Sequence, residues 1–382
     1  MKKTISVVLL VSILFTFITS YASDNIIRYV DAKRSLIENS SVLKKLSYTT
    51  YKYSGQYENA KKNADEISIE TAKQIYSFMN WTFSAYDEML LIKQRDYLPE
   101  QMKYYYELSK SREITTQNNL IVGLRGVYLV LLNADMDSKL KQKKFELAQK
   151  KNEQDSKKYK LGLISKLDVE ASEYNLIKAK SELEAIKRSR ENACRALNKY
   201  IGAPLNSSYG IITYDETFDT SIVNKDINYY IEKALKERAE IVDAQKEIAL
   251  KQLEKSILEV NDVGNIYRDT KRDYSTIKNE IESLYLKIEK AKLDIENEIK
   301  KAYLEIKKEE NNVKRLLSSI DAQKRNHEKL KALLKQGMTT EMAVDEMQIS
   351  INEMENGYKI AVYNYNTKLI KLVYAAGIGP AY

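Results

Sequence analysis

The 382-residue sequence predicts an all-α protein, a tandem repeat of long antiparallel helical hairpins, and three observations carry that reading. Only 3 Pro and 11 Gly interrupt a chain that is 30% charged and rich in Lys, Glu, Leu, Ile and Ala, the composition of long helices. Gly162, in KLGLISKLDVE, and Gly337, in KQGMTTEMAVDE, head matching segments 337 − 162 = 175 residues apart. The same offset carries Tyr128 to Tyr303, Val169 to Val344, Leu197 to Leu372 and Gly202 to Gly377. On both sides of each glycine, apolar residues recur at spacings of three and four, as a 3.6-residue period requires.

In chain order, the first segment is MKKTISVVLLVSILFTFITSYAS. Lys2 and Lys3, the apolar run from Ile5 to Ile18, and Ser20 and Ala22 before a cleavage point give residues 1–22 the layout of a secretory signal. The run is shorter than the ~20 residues of a spanning helix. No cysteine follows directly for lipid attachment, and no later run reads as apolar enough to cross a membrane as a helix. Removing Lys2 and Lys3 takes the net charge from +8 to 8 − 2 = +6.

The first repeat is read over 23–205. In SFMNWTFSAYDEMLLIKQRDYLPEQM, from Ser77, Pro99 with Trp81 and Phe83 marks a helix–loop corner. From about Tyr104 to Lys160 no proline interrupts a helix that, at ~1.5 Å per residue, reaches roughly 80 Å. Gly162 is placed to end it in a left-handed conformation. Ser165 is the N-cap of the next helix, with Asp168 three residues on in its first turn. That helix continues through Leu167, Ala171 and Tyr174 to Tyr200. The Gly/Pro/Ser/Asn-bearing stretch GAPLNSSYGIITYDETFDTS contains most of a linker set at 206–225.

The second repeat, 226–382, opens with ALKERAEIV, similar to SLIENSSVL at 234 − 35 = 199. The first repeat therefore holds 199 − 175 = 24 extra residues. Helices are expected from about Glu280 to Lys335 and from Thr340 to Ala376, with Gly337 ending the first and Thr339 or Thr340 capping the second.

The function classes excluded follow from what the chain lacks. Its basic residues are interleaved with acids, as in KKEENNVKR from Lys307, where a nucleic-acid binder would cluster them on one face. Cys194 is the only cysteine, read as a small core residue, and His327 the only histidine, flanked by charges and read as solvated. A Cys/His metal site or a Ser-His-Asp triad needs more of these residues. No catalytic residue, cofactor or metal ligand is assigned, and an enzyme is not expected.

The YKLGLISKLDVEASEYNLIKAKSEL tip, the KYIGAP end of the first repeat, the ALKERAEIVDAQKEIAL opening of the second and the closing KLVYAAGIG together resemble the TolC family of outer-membrane efflux proteins. The resemblance covers nearly the whole chain after the secretory segment. It implies a homotrimer whose long helices form a hollow α-barrel, meeting a periplasmic adaptor at the hairpin tips and working with an inner-membrane transporter. It also implies a place in the cell envelope, in the outer membrane or a periplasm-like space. The adaptor contact falls on Gly162, Leu163, Ile164, Ser165 and Leu167 in the first tip, and on Gly337, Met338, Thr339, Thr340 and Met342 in the second.

Two departures accompany the resemblance. A membrane strand takes ~9–11 residues with outward apolar alternation. Neither the region near 78–103 nor DVGNIYRDTKRDYSTIKN, from Asp262, shows it, so little or no β-barrel is expected. At the aperture the family's acids match only Asp168 and Glu346, while Ala343, Thr339 and Leu334 stand where closing partners are expected. The competing reading is a non-conducting coiled-coil spacer of the envelope. A spacer needs one a/d seam per helix and a duct needs two apolar stripes; the broad apolar spread of LIVGLRGVYLVLLNADM, from Leu120, favours the duct.

Overall fold

The computed structural model describes residues 26–213, 215–221 and 225–379; residues 1–22, read from the sequence as a secretory signal, lie outside them. Of the described residues, 86% are helical. The first repeat contains β1 (Ile26–Ile27), α1 (Tyr29–Asn39), α2 (Ser41–Asp65), α3 (Ile69–Phe78), α4 (Ala85–Ile92), a π-helical turn Lys93–Tyr97, α5 (Leu98–Lys160) and α6 (Lys166–Ile201). β2 (Ile211–Ile212) follows, then α7 (Ile227–Glu237), α8 (Ala239–Glu259), a 3-10 turn Val260–Asp262, α9 (Val263–Ile266), α10 (Arg268–Lys335) and α11 (Glu341–Ala375).

The helix ends obey the repeat. α5 and α10 stop at Lys160 and Lys335, and α6 and α11 start at Lys166 and Glu341, each pair 175 apart. The 24-residue excess also finds its place. Between Asp65 and Lys93 stand 27 residues, carrying α3 and α4, whereas between the counterparts Gly264 and Arg268 stand 3.

The chain divides into two compact units. One comprises Met1–Glu38, Leu124–Asp215 and Ala322–Asn356. Within it β1 and β2 pair in parallel, Ile26 with Ile211 and Ile27 with Ile212. The Tyr128 hydroxyl reaches the carbonyls of Thr213 (2.9 Å) and Ile27 (3.1 Å), closing the pair onto α5. Asn198 holds the turn after α6 by donating to the carbonyls of Ser207 and Leu205. Cys194 is buried, as expected of a small core residue, and burial pushes its thiol pKa up.

The other unit comprises Asn39–Gly123, Glu216–Asp321 and Gly357–Tyr382. Its main core joins Tyr230, Ile241, Ile248, Ile295, Ile299, Ile306, Val362 and Leu372 from α7, α8, α10 and α11. A smaller cluster packs Met89 and Tyr97 against Leu250, Ile257, Val263 and Ile277.

Three expectations are corrected. Pro99 does not mark the corner: it sits in the first turn of α5. The preceding π turn, in which Leu98 N–H reaches the Lys93 carbonyl, accommodates a ring that lacks an N–H and would crowd an ordinary helix. The corner lies earlier, at Asn80, which takes a positive φ of 53°. Second, Ala85–Lys160 does contain an 18-residue stretch apolar enough to cross a membrane, of which 50% is buried inside the protein; the stretch is apolar because α5 supplies core residues such as Leu124, Leu131 and Leu132. Third, His327 is buried rather than solvated. It continues a seven-residue row on α10 (Ile299, Ile306, Val313, Ile320) that faces inward along its length. The windows where membrane strands were not expected, 78–103 and 262–279, hold helices joined by turns and the irregular stretch 81–84, and no strand.

Candidate functional site at the hairpin tips

Both tips lie in the first unit and are built by the same backbone rule. At the end of α5 Gly162 N–H bonds the Tyr159 carbonyl (2.9 Å), and Leu163 N–H bonds the Lys158 carbonyl (2.9 Å). At the end of α10 the pattern repeats: Gly337 N–H to Leu334 (3.0 Å) and Met338 N–H to Leu333 (3.0 Å). This closure needs a left-handed residue, and Gly162 and Gly337 supply it with φ of 69° and 73°. A Cβ at either glycine would meet nothing within 4 Å, so backbone conformation alone demands glycine there.

The following helices start differently. Asp168 N–H donates to Ser165 Oγ (3.3 Å), while Ser165 N–H and Oγ donate back to Asp168 Oδ2 (3.0 and 2.7 Å), a reciprocal capping box. These bonds hold the Asp168 carboxyl below the usual carboxylate range. In the second tip Thr340, not Thr339, is the cap: its Oγ1 accepts from Ala343 N–H at 3.2 Å. Ala343 has no side chain to reciprocate.

Of the candidate contact residues, Leu163, Leu167 and Met338 are exposed, and Ile164, Thr339 and Met342 are half-buried. Leu161 and Tyr159, which sequence reasoning passed over as helix ending, are exposed beside them, so the first tip is the more apolar of the two. Their signal was their place in the last turn before Gly162, where a side chain has no helix beyond it to pack on. Glu346 is exposed on α11.

Behind the tips, Lys150 of α5 bridges Glu341 and Asp345 of α11 (3.1 Å each), and Lys144 reaches Glu353 (3.0 Å). These pairs link the two hairpins. Within each hairpin a polar position faces inward. In the first, Ser172 Oγ donates to Asn152 Oδ1 at 2.9 Å. Their counterparts in the second are His327 and Met347, and His327 Nε2 is left without a partner. Among the described residues no group of three His, Cys, Asp or Glu gathers as a metal site.

At the sequence level the chain matches no family model and no curated protein. In structure it is similar to a membrane protein from Pseudomonas aeruginosa, at 12% identity and TM-score 0.63, covering 92% of this chain and 90% of that one. The outer membrane protein VceC from Vibrio cholerae aligns at 12% identity and TM-score 0.59, over 92% of this chain and 96% of its own. The Campylobacter jejuni CmeC outer membrane channel aligns at 14% identity and TM-score 0.54, over 75% and 68%. At such identities the likeness speaks for the fold. The chain is an all-α protein with a TolC-like fold.

Proposed function

We propose that this chain is the protomer of a helical duct of the cell envelope, exporting or effluxing substrates together with a periplasmic adaptor and an inner-membrane transporter. The observation that carries the proposal is the TolC-like fold over 92% of the chain, combined with two tips of the same backbone geometry that present Leu163 and Met338 to solvent. One protomer offers two hairpins, and four long helices can pack as a solid bundle with no lumen, so a duct takes several copies; the resemblance implies three. In this reading residues 1–22 are the secretory signal, 23–205 and 226–382 the two repeats, and 206–225 the linker. Gly162–Ser165 with Leu167, and Gly337–Thr340 with Met342, meet the adaptor. Asp168 and Glu346 stand nearest the aperture, although Asp168 is already engaged in its capping box. The role is transport rather than catalysis, and the substrate is set by the transporter.

The test is the pair Leu163→Glu and Met338→Glu. Both side chains are exposed, and such changes rarely alter stability by more than ~0.5 kcal/mol. Export is expected to be lost while far-UV circular dichroism is unchanged. Full export in the double variant, with a monomer by sedimentation both alone and with its adaptor, would leave the spacer reading standing instead.

A further inference from the structure

The strongest feature outside the tips is the corner that follows α3. This ten-residue helix buries none of its residues, although Ile75 and Phe78, with Met79 just beyond, share one face at i, i+3 and i+4. Phe78 is 90% exposed and Trp81 61%. Such a row of large apolar side chains on an otherwise highly charged chain marks a contact surface.

We propose that α3 and its corner rest on a lipid bilayer as an in-plane interfacial anchor. Four observations point to that occupant. From Gln74 to Tyr86 no acidic or basic residue occurs, in a chain that is 30% charged. The rings are held as a group: Tyr76 meets Trp81 at 6.0 Å and Phe83 at 5.1 Å, both edge-on. Tryptophan, tyrosine and phenylalanine gathered with aliphatic neighbours are the side chains that settle at the headgroup–acyl boundary. The few charges bordering the apex are net acidic, Glu70, Asp87 and Glu88 against Lys73. α3 carries only Glu70 and Lys73, and Lys73 is paired with Glu88 of α4 at 2.9 Å.

The second repeat's shorter corner extends the same surface. Asn261 donates to Glu88 (2.9 Å), Tyr267 meets the Tyr86 ring at 5.4 Å, and Ile266 is exposed. An uncharged apex with a weakly acidic rim matches zwitterionic headgroups and disfavours anionic ones. Of the two helices in the 24-residue excess of the first repeat, α4 packs into the core through Met89, whereas α3 buries no residue. The anchor serves a duct or a spacer alike and does not depend on which of the two the protein is.

The chain carries its own probe, because Trp81 is its only tryptophan. Binding through Ile5–Ile18 leaves that emission unmarked. Phosphatidylcholine vesicles added to the full chain are expected to shift Trp81 emission to the blue, and acyl-brominated lipid to quench it, with little dependence on salt. Phe78→Glu should weaken vesicle binding at this corner about tenfold or more, the factor corresponding to loss of one buried aromatic side chain. Ile75→Glu should act in the same direction. Both sites are exposed, so circular dichroism should not change. Emission that stays unshifted at saturating vesicle concentration would overturn the proposal. A shift that appears without lipid as protein concentration rises would assign the corner to a second copy, and one that requires another envelope protein would assign it to that protein. The tip variants should keep the lipid shift, so this test and the export test fail separately.

Discussion

Arg238 offers the sharpest test of how the second repeat is held closed. It sits at the junction of α7 and α8 with its side chain 1% exposed. Its Nε and Nη2 donate to the Glu240 carboxylate (3.0 and 2.7 Å), and its Nη1 to Glu298 (3.0 Å) and to the Ala375 carbonyl (3.1 Å) at the end of α11. Ala239 N–H also bonds the Ile378 carbonyl, so the C-terminal turn closes over the guanidinium. Replacing Arg238 by Met removes a buried cation from two carboxylates and one helix-end carbonyl. Breaking a buried pair from one side costs ~3–5 kcal/mol. Glu240 and Glu298 keep 28% and 30% of their side-chain surface in water, which recovers part of that, and the expected loss is about 3 kcal/mol. Arg238→Lys should fall between, since one ammonium cannot present the fork that serves three acceptors. The assay is urea unfolding followed at 222 nm, with hydrogen exchange of α8 and the end of α11 to locate the effect. Arg238→Met within about 0.5 kcal/mol of wild type would show that the cluster contributes nothing beyond a surface pair.

Other outcomes follow from single positions. Gly379 takes a φ of 88° and a Cβ there would lie 2.8 Å from Arg238 Nε, whereas Gly377, the counterpart of Gly202 by sequence, has no positive φ and only ordinary contacts. Gly379→Ala should therefore cost more than the ~1–2 kcal/mol of a left-handed residue and Gly377→Ala little, by thermal melting; equal effects would contradict the geometry. His327→Leu should be neutral or raise stability by up to ~1 kcal/mol in chemical denaturation, because it replaces an unpartnered buried nitrogen by hydrocarbon. The Asp168 carboxyl, depressed by Ser165, contributes its cap above its ordinary titration range and loses it as pH falls through the lowered value. Ser165→Ala should return its NMR titration to the ordinary range, and no change would remove the capping box as the cause.

The hairpin ends of the long helices were legible because their signals are local, whereas α10 starts at Arg268, 280 − 268 = 12 residues before the expected Glu280. A glycine with φ near 70° followed by a Ser or Thr cap ends and restarts a helix wherever it stands, and the structure places both ends of α6 and α11 within one residue of expectation. His327 was misread because local charge was weighed above the seven-residue row running through Ile306, Val313 and Ile320, and a row of that length outranks its immediate neighbours. Pro99 was misread because a π turn leaves no mark in composition. The amphipathic face of α3, Ile69–Phe78, lies almost wholly before the window read as strand or corner, and no expectation covered it. An anchor helix and a loop corner share the same short apolar stretch, and only the exposure of Phe78 and Trp81 separates them.

The choice between duct and spacer narrows to what α10 leaves uncovered. A spacer coiled coil needs one apolar seam, and α10 has one, in the inward row from Ile299 to His327. It also carries Leu286, Leu293 and Leu304 at spacings of seven and eleven, which keep to one line on a helix, and all three are exposed. Each such leucine left in water forgoes ~1.5–3 kcal/mol relative to burial. A spacer has no use for this second row, whereas a helix in the wall of a tube must meet a neighbour on both flanks. The row therefore favours a wall made from several copies, with one flank of α10 supplied by another protomer.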